Sequence, residues 1–220
     1  MGVGDGARTD RKPGEPVDPS LPLELIERMP YVSRGGEKLA AALDAFVVDP
    51  GGRICLDVGS STGGFTDVLL QRGATRVYAL DVGRGQLADS LRADPRVVSM
   101  ERTHAARLDP EHPDPLHLPD PIDLAVIDVS FISLTRILRG VMAQLVAGGE
   151  VVALVKPQFE ATPADVPRGV VRDEAVRLAA VERVQAYARS IGLRVAAPHF
   201  ESPVVGPAGN HEFFLHLARP

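Results

Sequence analysis

The apolar positions of the chain fall into short continuous runs separated by stretches with helical spacing. The runs are Ile54-Cys55-Leu56, Val77 to Leu80, Val97 to Met100, Ile122 to Ile127, Val151 to Val155, Leu193 to Ala197 and Phe213 to Leu217. Each has the length and aliphatic content of a strand. Between them, Leu39, Ala42, Leu43 and Phe46 share one face of a helix that opens at Tyr31 and runs to about Phe46, with Ser33 as a candidate cap. Phe65 to Gln71 has a helical pattern, and Ser133 to Leu145 carries Leu134, Ile137, Leu138, Val141, Met142 and Leu145 on one apolar face. Gly148-Gly149 turns the chain into the next strand, and Asp173 to Ser190 is a long helix. The Pro- and Gly-containing stretches Asp109 to Pro121 and Ala161 to Arg172 are loops, the second a candidate mobile lid. Strands alternating with helices predict a doubly wound, mostly parallel sheet of seven strands. The last two strands have no helix between them, which predicts an antiparallel hairpin at one edge.

Residues 1–21 are dominated by Gly, Pro and charge and predict a flexible tail. Leu23 to Met29 has room for a helical turn or two before Pro30, and one domain occupies 22–220. Aromatic content is only 5% against 45% hydrophobic residues, so the core must be mostly aliphatic. The net charge of −5 gives no global attraction for nucleic acid and leaves any such binding to a local basic patch. A single cysteine excludes an intrachain disulfide and a cysteine zinc site, and the six histidines show no ligand spacing, so no metal is expected. No apolar run approaches the roughly 20 residues of a membrane span. The N-terminal sixteen residues, MGVGDGARTDRKPGEP, lack the apolar core of a signal peptide. These features predict a cytoplasmic protein without a membrane partner.

The candidate chemistry centres on ICLDVGSSTGGF at 54–65. A strand ending at Asp57 runs into a glycine-rich turn and then a helix, an arrangement that lets the backbone approach a nucleotide-type ligand closely. The turn has neither the G-x-G-x-x-G nor the P-loop pattern, and no Lys follows Gly64, which favours a ligand without phosphates. Its D-x-G-x-x-x-G-G spacing is similar to the S-adenosylmethionine (SAM) loop of α/β methyltransferases. A tight turn without a ligand is the competing reading. Asp81 ends the next strand, 24 residues after Asp57, where such folds bind ribose hydroxyls; capping of the following turn is its alternative role. Asp128 and Lys156 end two further strands. Ligands of open α/β sheets sit beyond the carboxyl ends of the strands, so one crevice should hold Asp57, Asp81, Asp128 and Lys156. Lys156 either forms a structural ion pair with Asp128 or has its ammonium destabilised so that it handles a proton.

The motifs YVSRGGEKL (31–39), CLDVGSSTGGFTD (55–67), ALDVG (79–83), ERT (101–103), IDVSFISL (127–134), LVKPQFE (154–160), GVVRD (169–173) and SPVVGPAGNHEFFLHL (202–217) occur in this order. In them the chain resembles the TlyA family of FtsJ-like ribose 2′-O-methyltransferases, from Tyr31 to its end. The resemblance implies a Rossmann-like SAM-dependent methyltransferase fold. It also implies a Lys-Asp-Lys-Glu catalytic set at Lys38, Asp128, Lys156 and Glu212, of which the strand-end argument reaches only Asp128 and Lys156. It implies S-adenosyl-L-methionine held at its methionine end by Asp57, Gly59, Ser60, Ser61, Thr62, Gly63, Gly64 and Phe65. The ribose falls to Asp81 and Val82, and the adenine lies near the segment after Met100, Glu101 and Arg102 included, with Asp128 close by. Lys156 beside Lys38 would accept the hydroxyl proton, Asp128 and Glu212 would orient the two lysines, and no metal is required. The family usually begins with a small RNA-binding domain, in whose place this chain has its short tail, and His104 stands where the family's ERTN segment has Asn.

Three functional readings follow. Ribosomal RNA would be held by a basic patch of Arg34, Lys38, Arg168 and Arg172. A small-molecule hydroxyl accords with the acidic balance and the short N-terminus. A SAM-binding protein without transferase activity is the third, and the complete catalytic set argues against it. The family's haemolysin label has no apolar segment here to support membrane insertion.

Overall fold

A computed structural model describes residues 29–220. The expected tail, and the expected helical turns up to residue 28, lie outside the described residues. The elements are α1 (Gly35–Phe46), β1 (Ile54–Val58), α2 (Gly64–Gln71), β2 (Arg76–Leu80), α3 (Asp89–Arg92), β3 (Val97–Met100), β4 (Ile122–Ile127), α4 (Leu138–Gln144), β5 (Leu145–Val155), α5 (Pro157–Glu160), α6 (Glu174–Ser190), β6 (Arg194–Val195), β7 (Phe200–Glu201) and β8 (Phe213–Ala218). The sheet order is β3-β2-β1-β4-β5-β8-β6, with β7 also paired to β8. The first five strands of that order are parallel, and β8 runs antiparallel to β5, β6 and β7. This is the mainly parallel α/β architecture expected, with the antiparallel strands gathered at one edge. It has eight strands rather than seven, because two-residue β7 is too short to leave a periodic signal.

Three other boundaries differ from the sequence expectation. Helix α1 starts at Gly35, and Ser33 does not cap it through its side chain; instead the Ser33 carbonyl accepts from Gly36 N–H at 3.0 Å. A Cβ on Gly36 would stand 2.4 Å from Tyr31, so the bare glycine lets the Tyr31 side chain fold back over the helix start. The expected helix at 133–145 divides into a 3₁₀ turn at Leu134–Arg136 and the short α4, and Leu145 already belongs to β5. Its apolar face is buried all the same, as Leu134, Ile137, Leu138, Val141 and Leu145 show. The edge strand expected over 193–197 is confined to Arg194–Val195, shortly before Pro198, which cannot donate to a ladder.

Strand alternation divides the core into two layers. Leu56, Val58, Ala125, Ile127, Val151, Ala153 and Val155 face α4 and α6, packing with Leu138, Val141, Val181 and Val184. Cys55, Leu124, Val126, Val152, Leu154 and Phe214 face α1 and α2, packing with Leu39, Leu43, Val68 and Leu69. The side-chain period of a strand is two. Carried one step beyond the strands, the pleat aims Asp128 (after Val126), Lys156 (after Leu154) and Glu212 (before Phe214) toward the α1 layer. Asp128 N–H still donates to Val58 at 2.9 Å and the Glu212 carbonyl accepts from Ser202 at 2.9 Å, so the ladder does continue to these positions.

Candidate active site

A crevice with two lobes opens beyond the carboxyl ends of β1, β4 and β5. The first, about 280 Å³, is lined by Ser33, Arg34, Gly35 and Lys38 of the α1 start, Gly59 to Thr62, Gly64 and Phe65 of the glycine turn, Asp128, Lys156, Val204, Val205, Pro207 and Glu212. The second, about 530 Å³, is lined by Val58, Gly59, Ser61, Leu80, Asp81, Val82, Gln86, Thr103, His104, Ala105 and Asp128 to Ile132. Gly59, Ser61 and Asp128 border both, so the lobes form one continuous site. Gly59 makes this possible: its φ is +88°, and a Cβ there would lie 2.4 Å from the Asp128 carbonyl oxygen. Only glycine combines that conformation with that approach.

Two ion pairs stand in the first lobe. Lys38 Nζ lies 2.6 Å from Glu212 Oε2, with side-chain exposures of 10% and 1%. Lys156 Nζ lies 2.6 Å from Asp128 Oδ1, with 12% and 23%. Lys156 also donates to Ser130 Oγ at 3.0 Å. The crevice therefore brings together Lys38, Asp128, Lys156 and Glu212, from one helix and three strand ends. Such burial is tolerated because each ammonium meets a carboxylate.

The second lobe has the acid anticipated at the end of β2. Asp81 Oδ2 accepts from Ser61 N–H at 2.8 Å and Oδ1 from Gly83 N–H at 2.7 Å, so the carboxylate ties the glycine turn to the loop after β2. Val82 lines the same lobe. Glu101 and Arg102 do not line either lobe. The Glu101 carboxylate accepts from Arg92 at 3.0 Å, and Arg102 is exposed with φ +54°. Thr103, His104 and Ala105 occupy the wall expected of them. Gly63 also turns away from the crevice: a Cβ there would meet Leu91 at 2.2 Å and Leu87 at 2.8 Å, so its bareness admits these two core side chains.

Asp57 lies beneath the turn rather than in the crevice. It is fully buried; Oδ2 accepts from Thr66 Oγ1 at 2.6 Å, and Oδ1 has no hydrogen-bond partner. Burial pushes its carboxyl up to about 7, and the Thr66 hydrogen bond opposes this only in part. A carboxyl that titrates near 3.8 when unfolded and near 7 when folded holds its proton longer in the native state. It therefore supplies stability that is complete below about pH 4 and lost as pH rises through about 7. Asp57→Asn keeps an acceptor for Thr66 and removes the titration. Its unfolding midpoint should exceed that of the wild type at pH 8 and lose that advantage at pH 4.5; equal midpoints at both pH values would contradict this.

Sequence reasoning missed part of the wall of the second lobe: Gln86, Val129, Ser130 and Phe131. Val129, Ser130 and Phe131 directly follow Asp128 at the same strand end, but carry no ionisable group to mark them. Phe131 is 91% exposed, has φ +66° and sets its ring 5.1 Å from that of Phe159. A bulky residue held at positive φ is strained, and such strain gathers at functional sites. Glu160, which burial pushes to a higher pKa, clasps this segment by accepting from Ser133 Oγ at 2.6 Å and Leu134 N–H at 2.8 Å. Asn210, also buried, joins the expected lid to the loop before Glu212. Its Nδ2 donates to the Gly169 carbonyl at 2.9 Å and its Oδ1 accepts from Val171 N–H at 3.0 Å.

A Rossmann-like sheet with a glycine turn after β1 and an acid closing β2 is an arrangement the molecule shares with methyltransferases of this fold. The chain belongs to the FtsJ-like methyltransferase family, whose model matches residues 31–219, and within it to the TlyA group. It is 46% identical over 209 residues to the 16S/23S rRNA (cytidine-2′-O)-methyltransferase TlyA of Mycobacterium tuberculosis, covering 94% of this chain and 76% of that protein. A crystal structure from Lactococcus lactis with a provisional hemolysin label matches with TM-score 0.82 and 46% identity, over 88% of this chain and 90% of the other. A magnesium protoporphyrin IX methyltransferase from Synechocystis with bound SAM shares the fold alone, with TM-score 0.55 and 14% identity over 84% and 80% of the two chains. No helix among the described residues is long and apolar enough to cross a membrane.

Proposed function

We propose that this protein transfers the methyl group of S-adenosyl-L-methionine to a ribose 2′-hydroxyl of ribosomal RNA, in the cytoplasm, with Lys38, Asp128, Lys156 and Glu212 as the catalytic set. The observation that carries the reading is that two Lys–acid pairs line the first lobe, one of them through Asp128, which borders both lobes. Family membership and the RNA named for the tuberculosis relative support the acceptor.

The second lobe suits the cofactor. Asp81 offers its remaining lone pairs to ribose hydroxyls, and Val58, Leu80, Val82, Ala105, Val129 and Ile132 form an apolar wall for a flat base. The bare backbone of the turn and the buried Asp57 beneath it suit the cationic methionine end. Bound SAM supplies an electrophilic methyl carbon, whose bond to sulfur breaks with the electron pair staying on sulfur. The chain's own groups handle the acceptor. Lys156, entering the step as the free amine after releasing a proton to solvent, takes the hydroxyl proton as the oxygen forms its bond to the methyl carbon, and Asp128 stabilises the ammonium that results. Lys38, fixed by Glu212, presents positive charge to the developing alkoxide. Much of the rate comes from alignment of oxygen and methyl carbon between the lobes.

For RNA, Arg34 lines the first lobe, and exposed Arg168 and Arg172 stand on the loop that Asn210 joins to the Glu212 segment. These arginines supply local positive charge despite the acidic total. Phe131 presents a flat face at the lip, of the kind on which an unpaired nucleobase stacks.

Asp81→Ala tests the cofactor seat. Loss of a charged acceptor should weaken SAM binding by about 10- to 100-fold, read by calorimetry. Unchanged affinity would remove Asp81 from the site. Incubation of ribosomal subunits with methyl-labelled SAM tests the acceptor: label should enter the RNA, and tight SAM binding with unlabelled RNA would contradict the reading.

A further inference from the structure

Lys156 Nζ meets two oxygens of the segment that follows β4, and the two contacts differ in kind. Asp128 Oδ1 lies 2.6 Å away, but it has no aligned hydrogen bond. Ser130 Oγ lies 3.0 Å away and accepts from Nζ in hydrogen-bond geometry. Charge attraction depends on distance and is nearly indifferent to direction, whereas a hydrogen bond weakens steeply as its angle closes. Of the two contacts, the Ser130 hydrogen bond is therefore the one whose geometry directs an N–H of the nitrogen.

That direction matters for the reaction proposed above. An amine that accepts a proton does so along one lone pair. With one N–H committed to Ser130 and the carboxylate on a second side, one side of the tetrahedral nitrogen is left for an acceptor in the first lobe, which Lys156 lines. Ser130 itself lines the second lobe, so it stands where the acceptor and cofactor spaces join. Its segment is held from below, because Glu160 accepts from Ser133 and Leu134 three and four residues further on. The other charged groups facing the first lobe are Arg34, Lys38 and Glu212, and the last two are committed to each other.

We propose that Ser130 is a positioning residue for methyl transfer: its hydroxyl accepts a hydrogen bond from Lys156 Nζ and thereby aims the nitrogen at the acceptor hydroxyl. The proposal rests on Lys156 being the proton acceptor. It assigns a role to a side chain that touches neither the transferred methyl group nor the proton.

Ser130→Ala and Ser130→Thr test it. The alanine variant should lower kcat about tenfold, the effect of one hydrogen bond to a charged group. KM for RNA and the SAM Kd should stay within about twofold, because the lost contact acts in the transition state. Threonine keeps the oxygen and should restore most of the rate. A second readout needs no acceptor. The chain has three lysines, Lys12, Lys38 and Lys156, so the ammonium signals of ¹⁵N-lysine-labelled protein can be assigned with a Lys156→Ala reference. The Lys156 ammonium should exchange with water several-fold faster in Ser130→Ala than in the wild type. A normal kcat, a defect confined to SAM affinity, or an unchanged Lys156 exchange rate would each overturn the role. Normal turnover by Lys156→Ala would instead overturn the proton-acceptor reading, and the exchange measurement would still decide whether Ser130 holds the nitrogen.

Discussion

Lys156→Ala should reduce methyl transfer by about 10²- to 10⁴-fold, the range of general-base catalysis, while SAM binds nearly as well as before. The asymmetry follows from position. Lys156 lines the first lobe, whereas the ribose and base of the cofactor are assigned to the second, walled by Asp81 and Val129. Substitution also leaves Asp128 without its 2.6 Å partner, so Lys156→Met, which retains the stem, is the better control for packing. Calorimetry with SAM and single-turnover transfer separate the two effects. Transfer at the wild-type rate would remove Lys156 from the chemistry. A proportional loss of SAM affinity would make it a cofactor contact.

The second large effect concerns Glu212. Its side chain is 1% exposed and meets Lys38, itself only 10% exposed, at 2.6 Å, so Glu212→Ala strands a mostly buried ammonium. Breaking a buried pair from one side costs about 3–5 kcal/mol, on the order of a 10 °C fall in unfolding midpoint for a domain of this size. Replacement of both partners removes the stranded charge. Lys38→Met with Glu212→Leu should therefore unfold closer to the wild type than Glu212→Ala does, yet remain inactive. A double variant that is stable and active would show that the pair serves folding alone. A single variant of normal stability would show that Lys38 finds another partner or reaches water.

The strand ends explain how much of this site was legible in advance. Asp81, Asp128 and Lys156 each follow an apolar run of a parallel strand, and the rule that ligands bind beyond carboxyl ends reaches them without a structure. Asp57 obeys the same rule, yet alternation turns it under the turn, onto Thr66. Glu212 breaks the rule for a topological reason: it precedes β8, and β8 is antiparallel, so the amino end of that strand meets the crevice. Lys38 lies on a helix that precedes the whole sheet, and its helical spacing reads equally well as a solvated charge. Only resemblance pointed to these two. Of the segment after Met100 expected near the adenine, Thr103, His104 and Ala105 line the second lobe, whereas the chain turns at Glu101 and Arg102. The helix expected at 133–145 is α-helical only over Leu138–Gln144, because Ser133 and Glu160 satisfy the backbone before it in a 3₁₀ turn, which apolar spacing does not distinguish from a full helix turn.

The measurement that tests the central claim most directly is the chemical position of the methyl group in RNA. Ribosomal subunits treated with the protein and methyl-labelled SAM would be hydrolysed in alkali and the products separated by size. A 2′-O-methyl group blocks the hydroxyl through which alkali cleaves, so the label should appear in alkali-resistant dinucleotides and disappear with Lys156→Ala. Label confined to mononucleotides would place the methyl on a base and contradict a site built to deprotonate a ribose hydroxyl.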